Sequence, residues 1–91
     1  MWYVYILECK DGSFYTGVTD NIKRRLTEHR KKTSHYTGYN PPRNLIYREP
    51  HRSKASAEKR EAQIKRWSHA KKQALISGNF EDLRRLSKSS D

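Results

Sequence analysis

The first eighteen residues constrain the fold most. Trp2 to Cys9 is a run of aromatic, aliphatic and thiol side chains broken only by Glu8. Its two alternating sets, Tyr3-Tyr5-Leu7-Cys9 and Val4-Ile6-Glu8, are both largely apolar, which predicts a strand covered on both faces. Lys10-Asp11-Gly12-Ser13 is a hairpin signal, and Phe14 to Val18 is the return strand. The length of the turn decides which side chains meet. A two-residue Asp11-Gly12 turn sets Tyr5 opposite Val18 and Tyr15 opposite Glu8, with the two phenols on opposite faces. A three-residue Lys10-Asp11-Gly12 loop, with Gly12 in a left-handed bulge position, sets Tyr5 opposite Gly17 and Leu7 opposite Tyr15. Both phenols then share one face, and Gly17 leaves room beside the ring of Tyr5. The second register is the one expected.

Beyond the hairpin the pattern turns helical. Asp20 or Asn21 caps a helix running to about Arg30, with Ile22, Leu26 and His29 along one face. Residues 31–43 read as a loop, containing Gly38, Pro41 and Pro42. Asn44 to Tyr47 is a short strand, closed by Pro50. Ser53 caps a second helix to about Trp67; Ser68 starts another, which Gly78 stops. Asn79 caps a last short helix, whose Phe80, Leu83 and Leu86 are expected to pack. The tail from Ser87 is polar and expected to fray. The class is α+β: a small three-stranded antiparallel sheet flanked by helices. One domain spans 1–86, followed by a disordered tail over 87–91.

Charge narrows the partners. The 91 residues carry 20 Lys plus Arg against 10 Asp plus Glu, a net +10, spread along the chain. Such a field favours polyanions. No apolar run approaches the roughly 20 residues that span a bilayer, and the N-terminal residues lack the pattern of a signal peptide. A membrane partner is therefore not expected. Cys9 is the single cysteine, so no internal disulfide forms, and a cytoplasmic location fits. Cys9, His29, His35, His51 and His69 lack the paired spacing of a zinc site.

Tyr3-Val4-Tyr5, followed after nine residues by Tyr15-Thr16-Gly17, resembles the two half-motifs of the GIY-YIG nuclease superfamily. Three further residues extend the match. Arg25 lies ten residues after Tyr15, where the superfamily has an arginine. His29 lies one turn later, where it has a Tyr or His. Glu61 opens Glu61-Ala62-Gln63-Ile64-Lys65, which is similar to the helix carrying the superfamily's metal-binding glutamate. The resemblance covers about residues 2–75. It is nearest to small stand-alone bacterial members and more distant from the N-terminal nuclease domain of UvrC. The chain departs from the pattern in having Tyr3 where the first half-motif has Gly, and Lys71-Lys72-Gln73 where many members have a polar residue, often Asn, that contacts phosphate.

The resemblance implies a metal-dependent endonuclease. Tyr5 would act as general base on the attacking water, with Tyr15 and His29 orienting water or phosphate. Arg25 would fork onto the scissile phosphate. Glu61 would be the protein carboxylate on Mg²⁺ or Mn²⁺, an ion that keeps several waters. A free phenol titrates near pH ~10 and is a weak base at neutrality, so cations from Arg25, the metal or Lys65 are expected to favour its ionised form. Gly17, Lys23, Arg24, Lys65, Lys71 and Lys72 are the expected nucleic-acid contacts. Tyr3 and Trp67 are assigned to packing. Tyr36 and Tyr39 offer base stacking within the loop. DNA stands ahead of RNA as substrate, with cleavage directed by nucleic-acid structure or by a protein partner, as in repair or recombination. The rival is a non-catalytic nucleic-acid-binding module on the same fold; a protein-interaction adaptor ranks third.

Overall fold

The computed structural model describes residues 1–30 and 42–89. The elements are β1 (Trp2–Cys9), β2 (Phe14–Thr19), α1 (Ile22–Arg30), β3 (Pro42–His51), α2 (Lys54–Lys65), α3 (His69–Ser77) and α4 (Phe80–Ser89). The three strands form one antiparallel sheet in the order β2-β1-β3. The fold is α+β, as the sequence predicts.

The hairpin takes the three-residue loop. Cys9 and Ser13 close it through the Cys9 N–H donating to Ser13 O at 2.8 Å, and Gly12 carries a φ of 88°. That left-handed value is open to glycine without steric cost. The Asp11 carboxylate accepts from the Ser13 N–H at 2.9 Å and tightens the loop. Tyr5 accordingly faces Gly17, and Leu7 faces Tyr15. Gly17 is where the register becomes obligatory. A Cβ at this position would lie 2.6 Å from Tyr5 Cζ and collide with the phenol oxygen.

As the central strand, β1 has both faces covered: Val4, Tyr5, Ile6 and Leu7 are all buried. Val4 and Ile6 join Ala57, Ile64, Trp67 and Leu75 in one apolar cluster that fixes α2 and α3 to the sheet. On α2 the buried Ala57 and Ile64 sit seven residues apart, two turns along one face.

The sequence misplaces several boundaries. β3 begins at Pro42 and ends at His51, so the strand is longer than residues 44–47, and Pro50 lies within it opposite Tyr3 instead of closing it. The position is tolerable because β3 is an edge strand, where a residue without an N–H need not break a ladder. Residues 42 and 43 thus leave the expected loop, whose other residues, with Tyr36 and Tyr39, lie outside the described residues. Asn21 rather than Asp20 caps α1, its side-chain oxygen accepting from the Arg24 N–H at 3.0 Å. Helix α2 stops at Lys65 with Arg66 as its C-cap, leaving Trp67 to turn into the core. Ser53, Ser68 and Asn79 are the expected N-caps, each accepting from a backbone N–H three residues on, and Gly78 ends α3 at a φ of 71°. Helix α4 runs through Ser89, past the expected start of the tail, with Ser87 Oγ donating back to Leu83 O at 2.7 Å; residues 90–91 lie outside the described residues.

The close approach of the Tyr5 ring to Gly17 is testable. Gly17→Ala forces a methyl into the ring of Tyr5 and should cost about 1–3 kcal/mol, read as a lower urea midpoint. In a Tyr5→Ala background the same substitution should cost much less. Equal penalties in both backgrounds would refute the contact.

Candidate active site

Tyr5 points its phenol toward α1, where two side chains one turn apart receive it. Arg25 Nε donates to the phenol oxygen at 3.2 Å, and His29 Nε2 lies 3.1 Å from the same oxygen. In the His29 tautomer whose Nε2 carries no proton, the phenol donates to that nitrogen. His29 is fully buried, and burial, with the Arg25 charge adding to it, holds the imidazole below its ordinary pKa of 6.5. It is therefore neutral at pH 7 and able to accept. Tyr15 closes the group. Its ring centroid is 4.9 Å from that of His29, nearly edge-on at 73°, and 6.3 Å from that of Tyr5.

Burial is the largest influence on Tyr5 and pushes its phenol up to about 12; the Arg25 hydrogen bond and charge act the other way and favour the ionised form, without outweighing burial. Tyr5 is thus a neutral phenol in the resting protein. Arg25 is held firmly protonated by its hydrogen bonds to Tyr5 and to Glu28, the latter at 3.0 Å.

Tyr5, Tyr15, Gly17 and Arg25 line a cavity of about 310 Å³ together with Glu61 from α2. The Glu61 side chain is 23% exposed and pairs with Lys65 one turn on at 3.3 Å. Trp2, Lys54 and Glu58 line the same cavity. Sequence reasoning missed Trp2 and Glu58. Trp2 and Lys54 fall outside every motif half, and only the pairing of the strand start with β3 brings them to the cleft mouth, where Lys54 Nζ lies 5.5 Å above the Trp2 ring. For Glu58 a signal was present: it precedes Glu61 by three residues and so shares its helix face.

The donor set fits a hard, strongly hydrated cation. Mg²⁺ takes one or two carboxylates and completes its shell with water and substrate phosphate, and Glu61, with Glu58 beside it, offers that in an open cavity. A closed cage is absent: among the described residues no group of three or more His, Cys, Asp or Glu side chains surrounds a common point.

The expected nucleic-acid contacts divide. Lys23 is exposed, and Arg24 is exposed but paired to Asp20 at 2.8 Å. Lys65 pairs with Glu61, and burial, then the Lys65 charge, lowers the pKa of Lys72. Gly17 contributes space rather than a charge. Lys71 departs from expectation. It is only 4% exposed, with its ammonium 4.2 Å above the Trp67 ring. Lys71, Ala74 and Leu75 are the buried residues of α3 and share its inner face, so the aliphatic stem packs in the core and the charge stacks on the indole. It belongs to the structural framework.

The family model of the GIY-YIG catalytic domain matches residues 1–74. The chain belongs to the GIY-YIG family. Its members are endonucleases, so the family implies a nucleic-acid substrate. The chain is 48% identical over 83 residues to a UPF0213 protein of Syntrophus aciditrophicus, covering 89% of this chain and 95% of that one. It is 45% identical over 80 residues to a UPF0213 protein of Desulfotalea psychrophila, covering 86% and 73%. The solution NMR structure of a UPF0213 protein from Bacillus halodurans superposes with a TM-score of 0.54 at 45% identity, over 85% of this chain and 84% of that one. In this GIY-YIG domain both half-motifs, the helix arginine and the glutamate meet around one cavity, while α4 lies beyond the residues that the family model matches.

The buried histidine makes a pH prediction. The folded-state pKa of His29 is depressed, so its contribution to stability is present above about 6.5 and lost as pH falls through the folded value. Wild-type stability in urea should therefore drop on acidification below pH 6.5, and His29→Gln should flatten that acid limb. Parallel limbs for the two proteins would contradict a buried neutral histidine.

Proposed function

We propose that this GIY-YIG domain is a metal-dependent endonuclease that hydrolyses phosphodiester bonds in DNA, with branched or otherwise distorted structures preferred, in the setting of repair or recombination. The observation that carries this reading is the Tyr5 phenol oxygen, held between a cationic and a basic nitrogen at the edge of a cavity that also contains the Glu61 carboxylate. No helix of the described residues is long and apolar enough to cross a membrane, and the net +10 suits a polyanionic substrate.

The geometry supports a proton path that does not require a pre-ionised tyrosine. Water in the cavity gives its proton to the Tyr5 oxygen as the phenol passes its own proton to His29 Nε2. The nascent hydroxide forms the new P–O bond, and the bond to the leaving oxygen breaks. His29 ends as imidazolium, a charge the Arg25 guanidinium nearby opposes; the proton returns through the Tyr5 oxygen to the cavity, where the leaving oxygen takes it up. Arg25 places a fixed positive charge where the phosphate gains charge. Tyr15 packs edge-on against His29 and fixes the ring. Glu61, with Glu58 beside it, would hold Mg²⁺ or Mn²⁺; when bound, that ion polarises the phosphoryl oxygen and lowers the pKa of coordinated water. Lys65 and Lys72 form a cationic rim on the Glu61 side. DNA structure or a protein partner would supply selectivity, since positions that contact phosphate carry no sequence information.

A second reading, a nucleic-acid-binding module that does not cleave, is favoured by one fact: the neutral Tyr5 phenol, with its pKa near 12, is a weak base unless His29 relieves it. Supercoiled and branched DNA incubated with Mg²⁺, Mn²⁺ or EDTA separates the two. Nicking should require metal and should fall by about 10²–10⁴-fold in both Tyr5→Phe and Glu61→Ala. Binding without cleavage in either metal would establish the module instead.

A further inference from the structure

Phe80 does not pack as its spacing suggests. It is 66% exposed, the first residue of α4, while Leu83 behind it touches the core. The ring stands at one side of a groove of about 380 Å³ whose floor is Trp67 and whose rim carries Arg60 and Arg84. A second depression of about 410 Å³ continues it along α2 through Gln63, adding Lys59 and Arg66. Among the described residues no carboxylate lines either depression.

The groove has a prepared guanidinium. Arg60 stacks over Trp67 at 5.1 Å, donates from Nη1 to Gln63 Oε1 at 2.9 Å, and is held from beneath by Glu49 at 3.1 Å. Glu49 is in turn fixed by the Tyr47 hydroxyl at 2.7 Å and by His51 at 2.6 Å. Burial works against this carboxylate, but those hydrogen bonds and Arg60 outweigh it and keep its pKa below the usual range. Three side chains, Trp67, Gln63 and Glu49, thus immobilise one arginine at the groove. Lys59, Arg66 and Arg84 have no ion-pair partner among the described residues, so they supply the uncompensated charge.

We infer that this groove is a subsite for single-stranded nucleic acid, in which a base stacks on Phe80 while Lys59, Arg66 and Arg84 follow the phosphates. An exposed ring beside unpaired cations, with no acidic lining, suits a strand whose bases are unstacked; duplex DNA keeps its base faces covered. Position supports it as well. Glu58 and Glu61 line the catalytic cavity while Arg60 and Gln63 line the groove, so the two sites lie on different faces of α2. They are separated by about one helix diameter, roughly 10 Å. A single-stranded arm leaving the catalytic cavity would wrap α2 to reach Phe80. The inference rests on the proposed function in taking nucleic acid as the substrate, and it adds that a segment of that substrate is single-stranded.

Binding by the full chain is measured in EDTA, by anisotropy of labelled oligothymidylate and of a duplex of equal length. Phe80→Ala should weaken oligothymidylate by at least about fivefold and leave the duplex and metal-dependent plasmid nicking unchanged. Phe80→Tyr should restore the loss, which a purely structural defect would not allow. Arg84→Gln should lower the salt slope of oligothymidylate binding by about one. Unchanged oligothymidylate affinity in Phe80→Ala, an equal loss on both probes, or displacement by polyglutamate as effective as by unlabelled strand would overturn the inference. The readout needs no metal, so an inactive nuclease with intact Phe80-dependent binding would defeat the proposed function alone.

Discussion

The ring of Tyr5 fills the space that a side chain at residue 17 would occupy, and the rest of the site depends on that contact. It demands glycine on β2, and it holds the hairpin in the one register that sets both phenols on one face. From there the Tyr5 oxygen reaches α1, twenty residues from Arg25 and twenty-four from His29 along the chain. A register slip of one residue would turn every side chain of β2 over. The strand pairing is therefore part of the chemistry, not only its support.

Burial gives this group its character. The pair formed by Tyr5 and His29 is kept neutral because both members lie under the surface, which disfavours the charged form of each. A neutral phenol hydrogen-bonded to a neutral imidazole can serve as a resting proton wire. It moves charge only when something outside, a phosphate or a cation, changes the field in the cavity. Arg25 remains charged throughout, supported by Glu28 on its far side. Helix α2 divides its work among its faces: Ala57 and Ile64 anchor it, Glu58 and Glu61 turn to the cavity, and Arg60 stacks outward on Trp67.

Two lysines next to each other in sequence show how little composition says about role. Lys71 and Lys72 read alike as basic surface. The helical period places Lys71 on the buried face of α3, its charge over Trp67, while Lys72 stays beside Lys65. Phe80 makes the opposite point: an aromatic at a packing position that remains largely exposed because α4 starts at the rim of the core.

Local rules carried much of the fold. An apolar run on both faces wrote β1, Lys10-Asp11-Gly12 wrote the loop, and Ser53, Ser68 and Asn79 wrote the helix starts, because each depends on neighbours within a few residues. The half-motifs, Arg25 and Glu61 were legible for the same reason, as types at fixed spacing. The length of β3 was not, since Pro50 is acceptable only on an edge, and being an edge is a property of the assembled sheet. Nor were the neutral state of Tyr5, the place of Trp2 and Lys54 at the cavity, or the burial of Lys71. Each depends on desolvation or contact between segments far apart in the chain, and only packing creates those surroundings.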